Sequence, residues 1–103
     1  MKTPTITAYL RPTCRASQSV RAVLGKYELA FEERDVARDA SSRSEMVRRS
    51  GQGFSPCVDV DGHMLSDVTG DEVEVYLLTA GLVKPTDARS EPANRGDAIL
   101  NVP

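Results

Sequence analysis

Tryptophan is absent from the 103-residue chain, and its aromatic residues are three tyrosines and two phenylalanines. A core made from this sequence rests on Val, Leu, Ile and Ala rather than on stacked rings. There is one histidine, and the two cysteines, Cys14 and Cys57, have 42 residues between them. That spacing matches no zinc-ligand pair, and a single imidazole cannot complete a tetrahedral site, so no metal is expected. No apolar run approaches the ~20 residues that span a bilayer. The first residues lack a basic-then-apolar signal pattern. No membrane partner is expected, and the expected compartment is the cytoplasm. An excess of one charge is missing too: 13 Lys and Arg stand against 15 Asp and Glu, for a formal net charge of −2. The signs are interspersed, which argues against nucleic acid as a partner.

Hydrophobic residues at 40 % and charged residues at 27 % are an ordinary globular balance, and the length suits one domain rather than two. Thr5 to Leu10 is rich in β-formers and alternates, predicting a strand. Arg11-Pro12-Thr13 breaks it. Ala16 to Lys26 then carries Ala16, Val20, Val23 and Leu24 at helical spacing. Thr13 is a suitable N-cap for that helix, placing Cys14 in its first turn. Phe31 to Val36 predicts a second strand. A helix follows from N-cap candidates in Asp39 to Ser42 through Arg49, stopped at Gly51. Cys57 to Val60 and His63 to Leu65 predict a hairpin around Asp61-Gly62. Asp71 to Ala80 predicts a last helix with Val73, Leu77 and Leu78 inward and Gly81 at its C-terminal cap.

The order β-α-β-α-β-β-α implies an α/β fold, with the first two strands parallel through a right-handed crossover and the hairpin completing a mixed four-stranded sheet. Residues 1–83 form the expected domain. From Lys84 the chain becomes poor in apolar residues and contains two further prolines before Gly96. This predicts a flexible tail over 84–103, with the apolar patch Ala98-Ile99-Leu100 near its end.

Chemistry is expected at Cys14. A strand-to-helix break presents free backbone N–H groups and the positive helix end, both of which favour a thiolate. Arg11 and Arg15 add positive charge. In a reducing compartment, two cysteines are reactive thiols or small buried hydrophobes rather than a structural staple. Cys57, at the head of a strand, is read first as a buried apolar residue and second as a thiol that could resolve a disulfide on Cys14. Pro56 at that strand head loses no ladder hydrogen bond. His63 is read as an exposed turn residue, and Arg43, Arg48 and Arg49 as a solvated helix face. Asp71, Glu72 and Glu74 complement the dipole at the start of the last helix.

The segment Tyr9-Leu10-Arg11-Pro12-Thr13-Cys14-Arg15-Ala16-Ser17 resembles the glutaredoxin active-site segment, in which a strand, a basic residue and a proline precede Cys-x-x-Cys or Cys-x-x-Ser. Phe54-Ser55-Pro56 resembles that family's Thr-Val-Pro loop, and Asp61-Gly62 matches its hairpin turn. The similarity covers Thr5 to Val83. It implies the thioredoxin-like fold and a glutathione-linked thiol-disulfide oxidoreductase with Cys14 as nucleophile. Ser17, in the second-cysteine position, implies a monothiol type. Arg11 would stand for the family's glutathione-binding lysine, Pro56 would be its cis-proline, and Ser55 would offer its backbone to glutathione. Asp67 or Thr69 would meet the γ-glutamyl end, although Ser66-Asp67-Val68-Thr69-Gly70-Asp71 departs from the family's Gly-Gly-x-Asp-Asp pattern there.

The implied partners are glutathione or another low-molecular-weight thiol and disulfide-containing proteins, with a monomer expected and no tightly bound cofactor. Two other readings follow from the same resemblance. One is a carrier holding an iron–sulfur cluster, although the Cys-Gly-Phe-Ser of such relatives is not present. The other is a redox-inactive adaptor. Arsenate reductases also place Cys-x-x-Ser after a strand, but with a longer helical insertion.

Overall fold

A computed structural model describes residues 3–85 of the chain, and the expected tail beyond Pro85, including Ala98-Ile99-Leu100, lies outside the described residues. Its elements follow the predicted order: β1 (Ile6–Leu10), α1 (Arg15–Lys26), β2 (Glu32–Asp35), α2 (Ala40–Ser50), β3 (Cys57–Val60), β4 (His63–Leu65) and α3 (Gly70–Thr79). The sheet runs β2-β1-β3-β4. β1 pairs parallel to β2 and antiparallel to β3, and β4 returns antiparallel to β3. Alternation along β1 sends Ile6, Ala8 and Leu10 to one face and Tyr9 to the other. β3 follows suit, with Val58 and Val60 on the first face and Cys57 and Asp59 on the second. β2 is an edge strand of charged residues, Glu-Glu-Arg-Asp, which discourages pairing with another chain.

α1 and α3 pack on the first face. Val20, Val23 and Leu24 of α1 and Val73 and Leu77 of α3 are buried against Ile6, Leu10, Val58 and Val60. Each such side chain contributes about 1.5–3 kcal/mol on burial. The two helices meet most closely at Gly70, where an added Cβ would lie 2.3 Å from the carbonyl oxygen of Ser19. The Gly70 N–H donates to Ser19 Oγ at 2.8 Å in the same contact. Leu82 and Val83 also pack against this core.

α2 covers the second face with Met46, against Tyr9, Val36 and Cys57. Asp39 caps this helix by accepting the Ser41 N–H, and the helix ends at Gly51. α3 begins with a capping box: Thr69 accepts the Glu72 N–H while Glu72 accepts the Thr69 N–H. The Asp61-Gly62 turn has positive φ at both residues, as a two-residue hairpin of matching twist requires.

Three sequence expectations change. Cys14, with extended φ and ψ of −77° and 132°, is itself the N-cap of α1, and Thr13 is not. Ser17, not Ala16, is the fully buried residue of the first turn. Arg49 does not belong to a purely solvated face, because it reaches Tyr9 and Asp59, while Arg43 and Arg48 are exposed. No helix among the described residues is long and apolar enough to cross a membrane.

Candidate active site

Where β1 ends, the chain turns through Arg11-Pro12-Thr13 and enters α1 at Cys14. The N-cap position leaves the Cys14 carbonyl to accept the Gln18 N–H at 2.9 Å, while the side chain makes no capping bond and stays partly exposed. The sulfur lies at the N-terminal end of the helix. The Cys14 thiol is held below its ordinary range, first by the Ser17 N–H, then by the Ser17 hydroxyl, the Ala16 N–H and the charge of Arg11, with burial opposing. Hydrogen bonds to the charged form are the main cause, as expected at a helix start.

Ser17 has a second bond. Its Oγ accepts the Arg11 N–H at 2.9 Å, so this buried hydroxyl joins the end of β1 to the start of α1 around the thiol. The Arg11 side chain is exposed, and its Nε donates to Ser55 Oγ at 3.3 Å. That contact brings the β1–α1 turn beside the loop before β3, where the Ser55–Pro56 peptide is cis. Among the described residues, neither the N–H nor the C=O of Ser55 has a backbone partner. The Pro56 carbonyl accepts the Val68 N–H at 2.9 Å, which ties the following loop to the same end of the sheet.

Cys14, Ser17, Arg11, Ser55 and Pro56 thus form one continuous group. An open cleft of about 490 Å³ adjoins it, lined by Arg15, Ala16, Ser19, Thr69 and Asp71. Thr69 lies on this cleft, with its N–H and hydroxyl bonded to Glu72. Asp67 is exposed and adopts a positive φ of 54°.

Cys57 has different surroundings. It is fully buried on the α2 face of the sheet, whereas α1 packs on the other face. Its thiol donates to the Phe54 carbonyl and accepts from Gln52 Nε2, both at 3.2 Å. Both cysteines are free. His63 is exposed at the hairpin and stacks on Tyr76, with ring centroids 5.1 Å apart.

Two residues near the thiol carry no signal in the sequence. Arg21, on the α1 surface, grips Glu33 of β2 through Nε at 3.0 Å and Nη2 at 2.5 Å. Its Nη2 also donates to the Arg11 carbonyl at 3.0 Å. Nothing in the local pattern distinguishes Arg21 from the other exposed arginines, because its partners come from two other segments. Among the described residues, no group of three His, Cys, Asp or Glu side chains converges as a metal site would need.

Comparison with known proteins gives the family and the fold. The glutaredoxin family model matches residues 6–65, more than half of the chain. The thioredoxin-like protein BC3987 superposes with a TM-score of 0.62 at 25 % identity, covering 69 % of this chain and 97 % of its own. A point variant of BC3987 gives 0.64 at 26 % identity, over 71 % and 99 % of the two chains. A diazinon-metabolizing glutathione S-transferase of the silkworm, Bombyx mori, gives 0.60 at 25 % identity, covering 73 % of this chain but 37 % of that one. No curated protein is matched by sequence.

Proposed function

The chain belongs to the glutaredoxin family and has the thioredoxin-like fold, and from that premise we propose that it is a glutathione-linked thiol-disulfide oxidoreductase of the monothiol type, acting through Cys14. The observation that carries this reading is the partly exposed Cys14 at the start of α1, its thiol acidified by the N–H and hydroxyl of Ser17. A lowered pKa raises the thiolate fraction at neutral pH, and the thiolate is the nucleophile in disulfide exchange.

In the proposed step the Cys14 thiolate attacks the glutathionyl sulfur of a mixed disulfide. A sulfur–sulfur bond forms to Cys14, the bond to the substrate sulfur breaks, and that sulfur leaves as thiolate and takes up a proton. A second glutathione thiolate then attacks the Cys14 adduct, releasing glutathione disulfide and restoring the Cys14 thiolate. The mixed disulfide is reduced to the substrate thiol, the glutathionyl group it carried ends in glutathione disulfide with one incoming glutathione thiol, and no metal or bound cofactor is required. Ser17 cannot form a disulfide, so the second glutathione does the resolving.

The free backbone groups of Ser55 suit pairing with the cysteinyl unit of glutathione, and Arg11 supplies a cation for one of its carboxylates. At the other end, the cleft lined by Thr69 and Asp71, with Asp67 in the loop before it, would receive the γ-glutamyl group. The glutathione S-transferase likeness supports the same thiol partner.

Reduced protein is incubated with glutathione disulfide, and the intact mass and peptide map are read. One glutathione adduct on Cys14 is expected, absent in Cys14→Ser and retained in Cys57→Ala. An internal Cys14–Cys57 disulfide would replace the monothiol mechanism with a dithiol one. An unmodified protein would remove the glutathione-linked reading.

A further inference from the structure

Arg21 sits one turn beyond Ser17 on α1, yet its guanidinium reaches back to the end of β1. The fork is fixed on one side by Glu33, with Nε 3.0 and 3.2 Å from the two carboxylate oxygens and Nη2 2.5 Å from Oε2. Arg21 is half-buried and Glu33 exposed, with side-chain exposures of 27 % and 38 %. A bidentate pair of this kind orients a guanidinium far more strictly than a single contact does. The remaining direction of Nη2 is spent on the Arg11 carbonyl at 3.0 Å.

Arg11 is thereby held at both backbone groups. Its carbonyl accepts from Arg21, and its N–H donates to Ser17 Oγ. Ser17 in turn is the residue beside Cys14 whose N–H and hydroxyl do most to favour its thiolate. The chain of contacts runs from Glu33 on the sheet edge through Arg21 and Arg11 to Ser17 and the thiol. The charged groups around it are Arg11 in the turn, Arg21 on α1, and Glu33 and Asp35 on β2.

We propose that Arg21 is a positioning residue for the nucleophile: anchored on Glu33, it holds the Arg11 carbonyl and keeps the β1–α1 turn in the shape that places Ser17 against Cys14. This rests on the reading of Cys14 as the reactive thiol. Its own charge is largely offset by Glu33, so the effect works through the tether rather than through bare electrostatics. Lysine keeps the charge but lacks the planar fork, and cannot serve Glu33 and the Arg11 carbonyl together in this geometry.

The test compares wild type, Arg21→Met and Arg21→Lys by thiolate absorbance against pH and by the rate of Cys14 alkylation, followed on the Cys14 peptide. Circular dichroism and thermal melting are recorded alongside. In wild type, Cys14 titrates below the ordinary thiol value of about 8.5. Arg21→Met is expected to move the titration upward and slow alkylation at neutral pH by about three- to tenfold, since each unit of pKa changes the thiolate fraction up to tenfold.

Arg21→Lys is expected to fold like wild type and to follow Arg21→Met in the pH profile. If Arg21→Met melts lower but its profile superimposes on wild type, Arg21 is only structural and the inference falls. It also falls if Arg21→Lys behaves as wild type, because charge alone would then suffice. Should Arg21→Met not fold, the lysine variant decides by the same readout. A wild-type Cys14 that titrates as an ordinary thiol would instead sink the proposed function, and the inference with it.

Discussion

The two faces of the sheet are joined to their helices by different chemistry. Beneath α1 and α3 the contact is apolar: Ile6, Leu10, Val20, Leu24, Val58, Val73 and Leu77 are each 3 % exposed or less. Beneath α2 a small apolar cluster is surrounded by polar groups. Tyr9 donates its hydroxyl proton to Glu45 at 2.6 Å and accepts from Arg49 at 2.8 Å. Arg49 also pairs with the buried Asp59, and Glu45 with Arg34. Burial and the Glu45 hydrogen bond push the Tyr9 hydroxyl pKa upward, so it stays protonated as donor. Each face holds one cysteine. Cys14 begins the helix of the apolar face, and Cys57 is buried on the polar one. Close packing tolerates little displacement, whereas a network with several partners can lose one bond and reconnect. The Cys14 thiol is therefore placed by the less forgiving face.

The sharpest way to break that contrast is Gly70→Ala. A methyl group 2.3 Å from the Ser19 carbonyl oxygen meets backbone rather than a movable side-chain end. Separating α1 from α3 is expected to cost about 3 kcal/mol, at the upper end of overpacking effects, read by urea unfolding. It is also expected to change the Cys14 alkylation rate, since Ser19 lies in the helix that Cys14 caps. Tyr9→Phe on the other face removes both hydrogen bonds of the hydroxyl and is expected to cost about 1–2 kcal/mol net. Arg49 and Glu45, 4.0 Å apart, can then turn to each other. Its Cys14 alkylation should match wild type within a factor of about two, below 0.5 kcal/mol. If Tyr9→Phe disturbed Cys14 and Gly70→Ala did not, the assignment of the thiol's placement to the apolar face would be wrong.

The sequence makes the apolar face more legible than the polar one, and for the same physical reason. Periodicity reports burial of apolar side chains, so Val20, Val23, Leu24, Val73 and Leu77 announce their helices and the face they cover. Cys14 is legible as well, because strand, proline and helix start lie within a few residues of one another. Ser17 in the core is less so: a buried serine breaks the apolar pattern, and its partner, the Arg11 N–H, is a backbone group. The bonds from Arg49 to Asp59 and from Arg21 to Glu33 each join a helix to a strand, and only the packing of helix against sheet brings them together. Gly70 reads as the end of a loop, because a helix-to-helix approach leaves no local mark.

The smallest expected effect tests where the apolar face does use charge, between the C-terminal end of α1 and the middle of α3. Glu74 of α3 accepts from Lys26 Nζ at 2.8 Å and from the Tyr27 hydroxyl at 2.5 Å. These bonds hold the Glu74 carboxyl below its ordinary range, Lys26 foremost and Tyr27 next, against burial. A carboxylate with a lowered folded pKa stabilises the protein fully above the unfolded value of about 4.3. That contribution is lost as pH falls through the lower folded value, because the folded state must then take up the proton it resisted. Glu74→Gln is accordingly expected to cost roughly 0.5–1 kcal/mol at pH 7, with wild type and variant converging as the solution is acidified below the ordinary glutamate range. The same site has an alkaline limb. Burial and the Glu74 bond push Tyr27 up to about 12, so its contribution is full below the ordinary tyrosine value of about 10 and is lost as pH rises through the folded one. Tyr27→Phe should flatten that alkaline loss and leave part of the acid limb, since Lys26 remains. A difference between wild type and Glu74→Gln that stayed constant through the acid range would mean that the ion pair adds nothing to the α1–α3 contact, and that packing alone closes this face.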